Sequence, residues 1–252
     1  MEKSLSRALI VLGVLLAIGM SSAAFIFGME AKHIGSGRQS ISVKGLAEKP
    51  VKADYAQWTV SVSTSGTTFS EALQALRQAR PALDEFLRKN GFDKTAISEG
   101  SESVEANMVE EETSSGRSRQ VQKGFVAHQD LLITSHDLAK IDATHKAIVQ
   151  FIADGHPVSD AAPLYLVSNL EEVKMSLIGA ATRNAKQRAD EFAKNGNVKV
   201  GAMHSASQGA FYILPPDAAQ ESGTDYGGTY DKSTVDKLAR VVVTIEYNIE
   251  TN

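Results

Sequence analysis

Ala180-Ala181-Thr182-Arg183-Asn184-Ala185-Lys186-Gln187-Arg188-Ala189-Asp190-Glu191-Phe192-Ala193 is the stretch on which the fold turns. It belongs to a long helix that opens with Asn169-x-x-Glu172 and stops at Asn195-Gly196. Val173, Leu177, Ala181, Ala185, Ala189 and Phe192 share one face. With so many alanines on that face, the helix can lie close against a sheet. The flanking sequence supplies strands for one. Pro163 to Val167 is a short apolar strand before the helix, and Lys199 to Ser207 and Leu238 to Ile249 follow it. In the last, Val241, Val243, Ile245, Tyr247 and Ile249 alternate with Arg240, Thr244, Glu246 and Asn248, the period of a half-buried strand.

Towards the N-terminus, a helix beginning near Asp137 places Leu138, Ile141, His145, Ile148, Val149 and Ile152 on one face, with Gly155 and Pro157 as stop signals. Two strands before it flank a polar tip, Asn107 to Gln120; the second, Val121 to Thr134, sets Phe125, Ala127, Leu131 and Ile133 on one side. An earlier helix opens with a Thr68-x-x-Glu71 capping box, carries Ala72, Leu76, Ala79, Leu83, Phe86 and Leu87, and ends at Asn90-Gly91. Pro81 lies inside it, which predicts a kink or a break. The first strands are Ile41 to Gly45 and Tyr55 to Ser63, with Ala56, Trp58, Val60 and Val62 inward and Pro50 in the gap. Strands adjacent in sequence outnumber those separated by helices, so the class is α+β, a mostly antiparallel sheet with packed helices. Asp84 to Gly91 echoes Asp190 to Gly196, a single short match between two helix ends.

Ala8 to Met29 carries no charge, and its 22 residues make a helix of about 33 Å, long enough to cross a bilayer core. Lys3 and Arg7 precede it, so the short N-terminus is expected in the cytoplasm and the rest of the chain outside. Ser21-Ser22-Ala23-Ala24 offers small residues to a signal peptidase, but Phe25-Ile26-Phe27 continues the apolar run. The expected organisation is therefore an N-terminal signal anchor over residues 1–30, a flexible linker over 31–40 and one domain over 41–252. The expected location, taken together with the family resemblance given below, is a bacterial inner membrane with the soluble part in the periplasm, or a secreted periplasmic form if the signal is cleaved.

There is no cysteine, which excludes disulfides, thiolate chemistry and cysteine metal sites. A net charge of −4 argues against a general nucleic-acid binder. No Gly-rich phosphate loop with its lysine, no nucleophile elbow and no HExxH occurs. His136, Asp137, Asp142 and His145 form the most suggestive cluster for metal or acid–base work. A hydrogen-bonded core role explains His145 better, however, and helix capping explains Asp137. His128 and Asp130 share the polar side of a strand, and Glu110-Glu111-Glu112 reads as a solvated hairpin tip. Arg183, Lys186 and Arg188 read as the charged face of the long helix. No catalytic, cofactor-binding or metal residue is assigned, and no cofactor is expected. In Leu214 to Asp236, prolines and glycines prevent regular structure while Tyr212, Tyr226 and Tyr230 supply aromatic surface; these tyrosines are the candidate contacts to a neighbouring subunit or partner.

Several blocks resemble the SIMPL-domain family of bacterial periplasmic or secreted proteins, over most of the chain from Ile41 to Ile249. They are Ile41-Ser42-Val43-Lys44-Gly45 with Ala53-Asp54-Tyr55-Ala56, then Gly124-Phe125-Val126-Ala127 and Asp137-Leu138-Ala139-Lys140-Ile141, and most strongly the alanine-rich helix. Two details depart from the pattern: Pro50 and Asp54 are separated where the family has a proline–aspartate pair, and Asn195-Gly196-Asn197 replaces a glycine–hydrophobic step. The resemblance implies an envelope protein, linked in some members to oxidative-stress protection and in some to ring-shaped oligomers, with no catalytic motif to transfer. The expected function is a non-enzymatic, membrane-anchored scaffold that assembles with itself or an envelope partner. The alternative is a partner- or ligand-binding receptor module in the periplasm, using a groove between sheet and helices.

Overall fold

A computed structural model describes residues 13, 15–26, 39–112, 118–217 and 228–251. Residues 15–26 are helical and exposed. The rest of the expected anchor and most of the linker lie outside the described residues, and among those described no helix is long and apolar enough to cross a membrane. Strands β1 (Ser40–Lys52) and β2 (Tyr55–Gly66) lead into helix α1 (Phe69–Lys89). A 3-10 turn (Lys94–Ala96), β3 (Ile97–Glu99), β4 (Ser103–Glu112) and β5 (Ser118–Ser135) follow. Then come α2 (Leu138–Ala153), β6 (Val158–Asp160), β7 (Leu164–Leu166), α3 (Leu170–Asn195), β8 (Val198–Leu214) and β9 (Asp236–Thr251). The class is α+β with antiparallel sheet, as the alternation of hydrophobic residues requires.

The described chain divides into two compact units. In the larger, residues 48–175 and 211–240, β5 and β2 form the centre of an antiparallel sheet. β3 and β4 lie along the outer side of β5, and β6 and β7 along the outer side of β2. Ala56, Trp58, Val60 and Val62 of β2 and Ala127, Leu131 and Ile133 of β5 form one apolar face. Ala72, Leu76, Leu83 and Leu87 of α1 and Ile141 and Ile148 of α2 cover it. The capping box at Thr68 and Glu71 is formed. α1 runs without a break through Pro81, whose missing N–H costs one hydrogen bond while the apolar stripe on either side stays on the sheet. Val149 is 65% exposed and does not share the buried face of α2, which is made by Ile141, Thr144 and Ile148. The tip expected over Asn107 to Gln120 is largely ladder, with β4 and β5 paired out to Glu112 and Ser118.

The smaller unit holds residues 176–210 and 241–252 and the chain before Glu48. Its sheet has the order β1-β9-β8. Ala181, Ala185, Ala189 and Ala193 are buried one turn apart on α3, whereas Phe192 is 63% exposed. A strict spacing of four residues selects Ala193, so the apolar Phe192 falls outside the stripe. α3 lies on the sheet so closely that a Cβ on Gly45 would stand 2.8 Å from the Cβ of Ala185. Asn184 Oδ1 accepts the Leu46 N–H at 3.1 Å, and the Arg188 guanidinium donates to the Lys44 carbonyl at 3.0 Å.

Candidate functional site

Among the described residues, the most enclosed charged group of the larger unit lies where β9 begins. Lys237 is 2% exposed, although its alternation with Ala239 and Val241 turns it inward with them. Its ammonium donates to the Asp231 carbonyl at 2.7 Å and meets the Asp231 carboxylate at 3.1 Å. It also lies 6.0 Å from the centre of the Tyr230 ring. Burial on its own would raise the Asp231 pKa. Hydrogen bonds from Thr234, Ser233 and Lys237 outweigh it and hold the carboxyl well below the ordinary range. Both hydrogen bonds of the ammonium go to Asp231, so the ion pair ties the turn 230–236 to the start of β9.

Asp54, His136 and Ser168 come together nearby in sequence-distant segments. The Ser168 hydroxyl and N–H both donate to the Asp54 carboxylate, the N–H at 2.8 Å. His136 Nδ1 lies 2.8 Å from the Asp54 carbonyl, so that nitrogen carries the proton. A nucleophilic serine needs its hydroxyl on a basic nitrogen. Here the hydroxyl is committed to the carboxylate and the imidazole to the backbone, which is an anchoring arrangement.

A third cluster surrounds Trp58, which is fully buried. Asp160 Oδ2 accepts the indole N–H at 3.4 Å and meets His145 Nε2 at 3.1 Å, while the imidazole stands edge-on to the indole. His145 is hydrogen-bonded, as its place on α2 implied, but its side chain is about one-third exposed and lies at the margin of the core, not inside it. On the inward face of β5, Gln129 interrupts the apolar row between Ala127 and Leu131. It accepts from Arg80 at 2.6 Å and donates to the Gly100 carbonyl at 2.9 Å, and Arg80 also pairs with Asp84 and Glu99. Neither Gln129 nor Lys237 was singled out from sequence; the signal for both was a polar residue at an inward-facing position of a strand.

β8 differs from every group above. From Ala202 to Gly209 all eight residues of this strand are exposed, on both faces. It is the outermost strand of its sheet. From Val200 to Leu214 it contains no Asp, Glu, Lys, Arg or Pro. β1, the opposite edge, carries Lys44, Glu48, Lys49, Pro50 and Lys52, the residues that ordinarily guard an edge against further pairing.

The residues raised by the sequence do not converge. Asp137 caps α2 through the Lys140 N–H, Asp142 pairs with Lys146 and Glu111 with Lys123. Among the described residues no group of three His, Asp or Glu is placed to hold a metal ion. Lys186 pairs with Asp190 and stands 5.7 Å from the centre of the Tyr247 ring. Of the three tyrosines, Tyr230 is half-buried with its hydroxyl accepting the Val167 N–H at 2.9 Å, Tyr212 is half-buried on β8, and Tyr226 lies outside the described residues. A cleft of about 460 Å³ opens beside the end of α1, between Asp84, Arg88, Phe92, Lys94 and Glu99.

A family model described as "SIMPL: Protein of unknown function (DUF541)" matches residues 41–247, both units together. The chain belongs to the SIMPL family. The match takes in the alanine stripe of α3 and the whole of β8, so the exposed strand is part of the SIMPL domain itself. No curated protein matches. Among solved structures, a hydantoinase/carbamoylase family amidase from Burkholderia ambifaria is 17% identical with a TM-score of 0.23, covering 46% of this chain. The chain spans only 28% of that amidase. An unknown protein from Galdieria sulphuraria is 13% identical with a TM-score of 0.20, covering 76% of this chain and 82% of its own. At such scores neither likeness carries an argument about fold or activity.

Proposed function

We propose that this SIMPL protein is a non-enzymatic scaffold of the bacterial envelope, anchored in the inner membrane by Ala8 to Met29 and assembling with itself in the periplasm. The observation that carries the reading is the uncharged edge of β8, beyond which no other described strand lies. A row of backbone donors and acceptors beside small side chains is a template for another strand, and an edge without charge or proline does nothing to repel one. The uncharged N-terminal run behind Lys3 and Arg7 supports the anchor and its orientation. The family resemblance supports a link to envelope or oxidative-stress protection.

The mass of the full chain in detergent, measured by light scattering after size exclusion, tests the scaffold. A defined multiple of the 27.0 kDa chain is expected. A monomer at micromolar concentration overturns it. The cleft between Asp84, Arg88 and Lys94 favours a second reading, a partner- or ligand-binding module; a monomer would move the weight there.

A further inference from the structure

We infer that two copies of the chain pair β8 against β8, antiparallel, about a two-fold axis through Ala206. This rests on the self-assembling reading and names the surface and the register through which it acts.

The usable edge has two ends. At Ile213 it is already occupied, because the Ile213 N–H donates to the Thr229 carbonyl at 2.8 Å and its carbonyl accepts the Asp231 N–H at 2.7 Å. At the other end Lys199 brings a charge. Between them lies Gly201 to Phe211, whose midpoint is Ala206, and among the described residues no other strand lies beyond β8.

Antiparallel pairing of a strand with its own copy is isologous, so each residue faces the one equally far on the other side of the axis. With the axis at Ala206, Met203 faces Gly209 and Phe211 faces Gly201, so each bulky side chain meets a position without one. Ser205 faces Ser207, Ala202 faces Ala210 and His204 faces Gln208. No charge opposes a like charge. Two other registers are poorer: an axis at Ser207 sets Met203 against Phe211, and one at His204 sets the two imidazoles face to face. The product is a continuous sheet of order β1-β9-β8-β8-β9-β1, in which the exposed row Ala202 to Gly209 gains its missing neighbour. The protected β1 edges end it on both sides.

The absence of cysteine makes the register directly measurable. Cα atoms opposed in an antiparallel pair are about 4.5–5.5 Å apart, within disulfide reach. Full-length Ala206→Cys, mildly oxidised in detergent, is expected to give a covalent dimer about tenfold more than Ala202→Cys alone, since only the first residue faces itself. Ala202→Cys mixed with Ala210→Cys restores the cross-link. Ser207→Glu is expected to separate the copies, and the double variant S205K/S207E to rejoin them through opposite charges set face to face. An oligomer by light scattering with equal cross-linking of Ala202→Cys and Ala206→Cys overturns the pairing while leaving the scaffold intact. A monomeric wild type that does not cross-link at any of these positions overturns both.

Discussion

Gly45 lies directly beneath the Ala181 carbonyl, so near that a Cβ on Gly45 would overlap the carbonyl oxygen and stand 2.8 Å from the Cβ of Ala185. The side-chain-free position on β1 and the methyl-only stripe on α3 are one device: backbone packed against backbone. The distance between helix and sheet is therefore set by the smallest residues, and neither side can give.

Gly45→Ala should lower stability by about 1–3 kcal/mol, because the added methyl meets helix backbone and not a movable side chain. Ala185→Leu should do at least as much. Phe192→Ser, on the exposed side of the same helix, should stay within about 0.5 kcal/mol. Urea midpoints of the three variants measure this. A costly Phe192→Ser with a silent Gly45→Ala would mean the helix is rotated from the phase described.

Lys237→Ala should cost about 3–5 kcal/mol, since it leaves the buried Asp231 carboxylate without its cation. Replacing both residues by apolar ones of similar volume should cost much less. Thermal denaturation of the single and double variants separates the penalty of an orphaned charge from the net worth of the pair.

Asp231 also gives stability a pH dependence of known sign. Its pKa is depressed in the folded chain, so it binds its proton less readily there than when unfolded. Its contribution is complete above the ordinary aspartate value of about 4 and is lost as pH falls below that towards the depressed folded value. Asp231→Asn should show a flatter decline in this acid window than the wild type. Parallel curves would remove Asp231 from the acid response.

Asp160→Ala should destabilise by about 1–3 kcal/mol by leaving the Trp58 indole N–H and His145 Nε2 without their shared acceptor. Trp58 is the single tryptophan, so its fluorescence reports the site alone. A shifted emission maximum in the folded variant is expected; an unchanged spectrum and stability would show that Asp160 does not hold the cluster.

Ser168→Ala should raise the Asp54 pKa. Burial pushes this carboxyl up, and the Ser168 hydroxyl and N–H, with the charge of His136, pull it below the ordinary value. Carboxyl titration by NMR reads the change. An unmoved Asp54 would mean the hydroxyl is not its donor in solution.

Local sequence patterns are enough to place helices α1, α2 and α3 and the long strands, but not the short β6 or the 3-10 turn, which carry no periodicity of their own. Period-two alternation in Ala56 to Val62 and Ala239 to Tyr247, the Thr68 cap and the four-residue spacing of the α3 alanines are local patterns, and local patterns set strand, helix and inward face. They misjudged positions one residue from the stripe, Phe192 and Val149, because a hydrophobic side chain looks the same in sequence whether or not a neighbour reaches it. Only the tertiary structure decided that Gly45 meets Ala181, that Gln129 and Lys237 find partners inside, and that Tyr230 spends its hydroxyl on Val167. It alone placed β8 at an edge of its sheet, with no other described strand beyond it. Pairing order joins residues far apart in the chain, and no periodicity within a strand records which side of it remains unpaired.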